Sequence, residues 1–154
     1  MSSNTFGGFV YCIVMSYATV QQLKDLGLPA DSISELDDVQ IEEFLDAAAG
    51  VMDAFLASQY ETPVRTSSSF LVRINVDLAA CDILNWRGYN PEDGDEVYKE
   101  RCDRWMKTLM EIRDGSLSVP NVEDVNGTVE IGAAKAYTKP RRGWGGTGGG
   151  VGII

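Results

Sequence analysis

Few side chains in this chain of 154 residues have the types and spacing needed for chemistry. The three cysteines, Cys12, Cys81 and Cys102, are widely spaced, and the sequence contains no histidine. Histidine is the commonest general base, the usual partner of a nucleophilic thiol and the commonest metal ligand. A small enzyme with Asp77 or Asp82 as the acid and Cys81 or Cys102 as the nucleophile therefore ranks last. The sequence predicts a protein that is not an enzyme.

The cysteine count also bears on the redox state. An odd number of cysteines, two of them inside predicted helices, indicates free, buried thiols in a reducing compartment.

Four acidic side chains near Gly94 are the other candidate for chemistry: Glu92, Asp93, Asp95 and Glu96. Their spacing does not match a calcium loop, which alternates oxygen ligands before the glycine and places a glutamate six residues after it. Carboxylates at the positive end of a helix are the simpler explanation. The sequence predicts neither a metal site nor a cofactor.

The charge of the chain is strongly asymmetric. The formal net charge is −10, and the apolar content of 44% is ordinary for a soluble domain with a real core. Residues 1–132 carry 9 basic and 23 acidic side chains, whereas residues 133–154 carry four basic ones and no acidic one. An acidic body disfavours non-specific binding to DNA or to an anionic membrane.

The longest apolar pattern, from Asp37 to Tyr60, predicts one amphipathic helix. Asp37 and Gln40 form a capping box at its start, and Pro63 prevents it from continuing. Its apolar positions recur at spacings of three and four, which places them on one face. They are Ile41, Phe44, Leu45, Ala48, Met52, Phe55 and Leu56.

Three further helices are predicted around it. A short one, 19–26, starts with a capping box of Thr19 and Gln22. Residues 70–86 are apolar around nearly the whole circumference, which is typical of a central helix. Residues 95–114 form the last amphipathic helix and end at a glycine.

Asp77 lies within the predicted central helix, where a charge is rarely buried unpaired. We expect it to pair with Arg73 one turn away, or with Arg101 or Arg104 of the next helix.

These patterns predict an all-α fold, a small bundle of about four helices. Residues 1–14 form an extended arm, which lacks a basic leader and is too short to span a membrane. Residues 15–119 form the helical domain, and 120–154 form a glycine-rich basic tail. Within the tail, Asn126-Gly127 between β-branched residues predicts a type I′ hairpin.

The order of these features resembles the small head–tail connector proteins of tailed bacteriophages, the family of Mu-like prophage head-completion proteins. The resemblance covers about Met15 to Val119, and its most specific part is the D-x-F-L-x-x-x-Y-x-x-P stretch from Asp53 to Pro63. The positions that carry it are Asp53, Phe55, Leu56, Tyr60, Pro63, Asp77, Leu78, Leu109 and Gly115. Gln59 is a departure, because the family often has an arginine there and any salt bridge it made between subunits is lost.

The resemblance implies a structural virion protein without enzymatic activity or a membrane association. It implies a ring, usually of twelve copies, that lies beneath the portal protein, extends the DNA channel and docks a tail-side neck or tail-completion protein. DNA passes through the lumen without specific binding. The expected location is the head–tail junction of the virion, and the host cytoplasm during assembly.

The tail lies outside the resemblance and is our candidate for portal binding, because tryptophan and arginine dominate interface energetics. The candidate residues are Lys135, Tyr137, Lys139, Arg141, Arg142 and Trp144. The alternative function is an acidic, soluble regulatory or inhibitory binding module, which the net charge fits but the basic tail does not.

Overall fold

A computed structural model describes residues 15–66 and 68–129 and confirms the all-α bundle. The N-terminal arm and most of the tail lie outside the described residues. Four α-helices follow in order: α1 Val20–Leu26, α2 Asp38–Leu56, α3 Ser69–Arg87 and α4 Asp95–Arg113. Short 3₁₀ turns at Ala30–Ile33 and Pro91–Asp93 precede α2 and α4.

Both predicted capping boxes are confirmed. The Thr19 hydroxyl accepts from the Gln22 amide at 3.2 Å, and the Gln22 side chain accepts from the Thr19 amide at 2.9 Å. Asp37 and Gln40 make the same reciprocal pair at 2.8 and 3.1 Å. Each pair satisfies two backbone donors that have no partner within the helix.

The predicted end of α2 at Tyr60 was wrong, because the α-helix ends at Leu56. The Leu56 carbonyl accepts from the amides of both Gln59 and Tyr60, so the chain tightens into a turn. Ser58 Oγ and Gln59 Nε2 donate to the Arg113 carbonyl at the end of α4, at 2.9 and 3.2 Å. The contact with α4 therefore decides where α2 stops.

Helix α3 is the central helix, as predicted. It packs against α1, α2 and α4, and every residue from Ile74 to Ala80 is buried. The large side chains that are fully buried around it are Leu23, Ile41, Leu45, Met52, Leu56, Leu71, Ile74, Ile83, Leu109, Ile112, Val76 and Val119.

Asn75 is a buried polar residue of α3 that the sequence analysis did not single out. Its Oδ1 accepts from the Ala18 amide at 3.0 Å and from Ser16 Oγ at 2.9 Å, and its Nδ2 donates to the Leu45 carbonyl at 3.0 Å. The side chain thus holds the segment before α1 against α2 and α3.

Asp77 makes the expected ion pairs with Arg73 at 3.1 Å and with Arg101, not Arg104, at 3.3 Å. The Trp105 Nε1–H also donates to it at 2.6 Å. The carboxylate is 1% exposed, so these three donors replace the water that it has lost.

The prediction of free thiols was wrong for two of the three cysteines. Cys81 of α3 is bonded to Cys102 of α4, with Cα atoms 6.7 Å apart. Sequence spacing alone could not pair them, because the pairing depends on the register at which α3 and α4 pack. Cys12 lies outside the described residues.

The predicted hairpin turn was wrong in type. Within residues 120–129, an antiparallel bridge joins Glu123 to Val129, and Gly127 has a φ of 78° while Asn126 is not left-handed. The Asp124 carboxylate accepts from the amides of Asn126 and Thr128 at 2.8 and 2.9 Å, which favours this other turn.

The first ten residues of the predicted tail pack on the helical body. Val122 is buried, and the Val125 amide donates to the Gln59 carbonyl at 2.8 Å. The boundary at residue 119/120 stays a prediction.

Asp95, the first residue of α4, connects the start of α4 to the end of α3 and to the loop between the two helices. Arg87 donates to both of its oxygens at 2.9 and 2.8 Å, and the Asn90 amide donates at 2.8 Å. Burial of the carboxylate opposes ionisation, but these donors outweigh it and lower the pKa of Asp95 below its usual 3.8.

Replacing Asp77 tests the central network. Asp77→Asn leaves two guanidinium groups without their carboxylate, and we expect a loss of about 2–3 kcal/mol in the free energy of unfolding. Urea denaturation measures it. Asp114→Asn is the control, because its pair with Arg113 is 49–59% exposed and should cost less than about 0.5 kcal/mol. Equal losses in the two variants would contradict the assigned role.

Replacing Asp95 tests whether its carboxylate stabilises the connection between α3 and α4, because that stabilisation should depend on pH. A lowered folded-state pKa gives stability that is present above the unfolded pKa and is lost as the pH falls through the folded one. Asp95→Asn should therefore cost about 1.5–3 kcal/mol at pH 6. The difference from the parent chain should shrink as the pH falls below 3.8. Thermal unfolding across pH measures it, and a difference that does not depend on pH would refute the lowered pKa.

Candidate functional site

The family-motif residues serve the fold. Leu56 and Leu109 are fully buried, and Leu78 is nearly so. Phe55 is half-buried, and the Arg113 guanidinium lies 5.8 Å from its ring centroid. These four positions therefore contribute to packing within the bundle.

Asp53 of the motif accepts a short hydrogen bond from the Tyr17 hydroxyl, which itself accepts from the Val64 amide at 3.1 Å. Burial raises the pKa of Tyr17, and the bond to Asp53 adds to this. Burial also raises the pKa of Asp53, although the Tyr17 hydroxyl opposes it. This chain of bonds fastens the segment before α1 and the loop that contains Pro63 to α2. The sequence analysis missed Tyr17.

Tyr60 and Gly115 hold the end of the helical body. The Tyr60 hydroxyl accepts from the Val119 amide at 2.7 Å. Gly115 has a φ of 77°, and a Cβ there would lie 3.4 Å from Gln59 Nε2. Gln59, which departs from the family pattern, thus makes contacts within its own chain.

The catalytic arrangement considered for Asp77 does not form. Its carboxylate is occupied by two arginines and a tryptophan, and the sulfurs of Cys81 and Cys102 are bonded to each other. Asp82 retains exposed surface, and the loss of part of its hydration raises the pKa of its carboxyl. The absence of enzymatic activity stays a prediction.

Two of the four acidic residues near Gly94, Asp93 and Asp95, have hydrogen-bond partners within the fold. Asp95 binds Arg87, and Asp93 accepts from Asn90 Nδ2 at 2.6 Å. Within 15–66 and 68–129, no three histidine, cysteine, aspartate or glutamate side chains converge as metal ligands would.

An open groove of about 980 Å³ lies beside the end of α2. It is lined by the loop 60–66 and by the turn 122–127, and its charged residues are Glu61, Arg65, Glu123 and Asp124. The groove is mainly polar, and its lining includes these three carboxylates and one arginine.

The surface that stands out is the outward face of α2. Ala47, Gly50, Val51 and Ala54 are all exposed, and none carries a charge. Their spacing of three and four places them on one line along the helix, which we call the α2 strip. Because it carries no charge, this face could be covered by another protein without burying an unpaired charge.

No contact within the chain explains why position 50 is a glycine. A Cβ added there meets nothing within 4 Å, so no close approach inside the molecule requires glycine. A glycine within a helix costs roughly 0.5–1 kcal/mol relative to alanine. Close approach of a second backbone would account for it.

Two aromatic residues border one end of the α2 strip. Trp86 of α3 is 54% exposed and packs edge-on against Phe44 of α2, with ring centroids 6.4 Å apart. An exposed tryptophan on a half-buried phenylalanine provides the kind of anchor that dominates interface energetics.

The candidate portal-binding residues, Lys135, Tyr137, Lys139, Arg141, Arg142 and Trp144, lie outside the described residues. Their role stays a prediction. Within the described part of the chain, no helix is long and apolar enough to cross a membrane.

Gly50 provides a direct test of the α2 strip. We expect Gly50→Ala to raise the free energy of unfolding of the isolated chain by about 0.5–1 kcal/mol, because alanine fits the open space and favours the helix. Gly115→Ala is the matched control and should lower the stability, since its φ of 77° disfavours a Cβ. Chemical denaturation measures both. A destabilising Gly50→Ala would mean that glycine is needed within the chain.

Comparison with known proteins supports the resemblance. A family model described as "Bacteriophage Mu, Gp36" matches residues 15–136, about four fifths of the chain. The match starts at the predicted Met15, but it extends past Val119 and includes Lys135. No curated protein and no solved structure matches the chain. The chain is a Mu-like phage protein and belongs to the bacteriophage Mu Gp36 family.

Proposed function

We propose that this phage structural or assembly protein is a head–tail connector, which forms a ring of about twelve copies beneath the portal. The observation that carries the proposal is the α2 strip on a member of the Mu Gp36 family. A closed ring requires each subunit to present a face to a different face of its neighbour. The uncharged α2 strip, which allows close backbone approach at Gly50, suits such a contact.

The acidic body suits a channel for DNA. Residues 1–132 carry an excess of 14 acidic side chains, and phosphate is repelled by a lumen of like charge. DNA would then pass without being bound. The protein would act at the head–tail junction of the virion, after assembly in the host cytoplasm.

The tail is the proposed portal contact. Lys135, Lys139, Arg141 and Arg142 supply charge, and Tyr137 and Trp144 supply apolar area. The opposite side of the ring would dock a neck or tail-completion protein.

Mixing the full-length chain with the purified portal of its phage tests the ring. We expect a complex with about twelve added chains, seen by light scattering after gel filtration and by electron microscopy. Val51→Glu should prevent the ring, because it places a charge on the α2 strip. Met110→Glu is the matched control, since Met110 and Val51 are both 43% exposed. A ring formed equally by both variants would exclude the α2 strip as the subunit contact.

The same experiment tests the tail. Replacing its four basic residues by serine should abolish portal binding while circular dichroism shows an unchanged helical content. Undiminished binding would refute the tail as the portal contact. A chain that never forms a stoichiometric complex with the portal would favour the regulatory or inhibitory module.

A further inference from the structure

The charged side chains of α2 are all acidic. The helix carries five acidic side chains and no basic one: Asp38, Glu42, Glu43, Asp46 and Asp53. Asp38 pairs with Lys24, and Asp53 accepts from Tyr17. Among the described residues, no lysine or arginine pairs with Glu42, Glu43 or Asp46.

These carboxylates, of which half-buried Asp46 also accepts a hydrogen bond from the Ser16 amide, lie along one edge of the α2 strip. Helical periodicity of 100° per residue places Glu42 and Asp46 on one side of the Ala47–Ala54 line, with Glu43 at its start. The same periodicity places Phe44 on the opposite side, where Trp86 packs against it. An occupant of this surface must therefore offer cations along one edge and aromatic groups along the other.

One part of the chain has this composition. Residues 133–144 contain four basic and two aromatic side chains and no acidic one. We propose that residues 133–144 dock on the α2 strip of their own chain, with the basic side chains against Glu42, Glu43 and Asp46 and with Trp144 toward Trp86.

The covalent distances allow this docking. The tail leaves the described structure at Val129, within one turn of Val125, whose amide bonds to Gln59 just after α2. From Gln59 back to Glu43, the helix axis spans about 24 Å at 1.5 Å per residue. Lys139 lies ten residues beyond Val129, and an extended chain of that length reaches about 33 Å. The tail therefore reaches the acidic edge without crossing to another molecule.

This docking would regulate ring formation, a consequence that rests on the proposed function. The tail would cover the α2 strip until the portal binds the same basic residues. The strip would then become free for a neighbouring subunit. A ring would thus close only on the portal, because free chains cover their own contact face.

Zero-length cross-linking of the full-length chain, without portal, tests the docking. A carbodiimide joins lysine amines to carboxylates in direct contact, and mass spectrometry of the peptides locates the links. We expect links from Lys135 or Lys139 to Glu42, Glu43 or Asp46. The Lys24–Asp38 pair, at 2.6 Å, is the internal positive control. Exposed Glu96 and Glu100 of α4 give the background level.

A matched pair of variants separates docking from random contact. Val51→Arg should lower the yield of tail links about tenfold, equivalent to ~1.4 kcal/mol, because it repels the basic tail. Met110→Arg, at an equally exposed position of α4, should leave the yield unchanged. Equal yields in the two variants, or tail links no stronger than those at Glu96 and Glu100, would overturn the proposal.

Isotope labelling decides which copy provides the tail. In a mixture of unlabelled and ¹⁵N-labelled chains, docking within a chain gives only unmixed links. Mixed links would overturn it in favour of a second copy. The result does not depend on the portal, so a failed ring with intact tail links would refute the connector and leave the docking standing. A ring on the portal, combined with an absence of tail links in the free chain, would refute the docking and leave the connector standing.

Discussion

The burial of the middle of α3, where every residue from Ile74 to Ala80 is buried, is the constraint on which the rest of this structure depends. This enclosed part of the helix has no water to satisfy its polar side chains, so other segments must supply their partners. Asn75 receives them from the segment before α1 and from α2, and Asp77 receives them from α3 and α4. Two polar residues thereby fix three segments around one helix.

The family motif extends the same principle to the ends of the body. Tyr17 and Asp53 fasten the segment before α1 to α2, and Tyr60 fastens the segment after α4. Such bonds join parts of the chain that are 36 and 59 residues apart, so they depend on the whole fold. Asp53 and Tyr60 of the motif therefore hold distant segments of the chain together.

The proposed function rests on the surface that the fold leaves unused. Helix α2 buries one face in the core, and it exposes an uncharged opposite face beside unpaired carboxylates and a tryptophan. The tail has the complementary charge. If the α2 strip contacts a neighbouring subunit and also the chain's own tail, as proposed, assembly would depend on the release of that tail.

The sequence by itself determined the helices, because capping boxes and apolar spacing are local: Asp37 with Gln40 starts α2, and the apolar residues around α3 make it central. It also determined the partners of Asp77 to within one turn. Only the tertiary structure decided that Leu56 ends α2, that Cys81 meets Cys102 and that Asn75 holds the N-terminal segment. The exposed α2 strip belongs to the same group, since alanine, glycine and valine suit a core equally well. Each of these depends on how the helices pack, and packing joins residues whose separation in sequence carries no periodic signal.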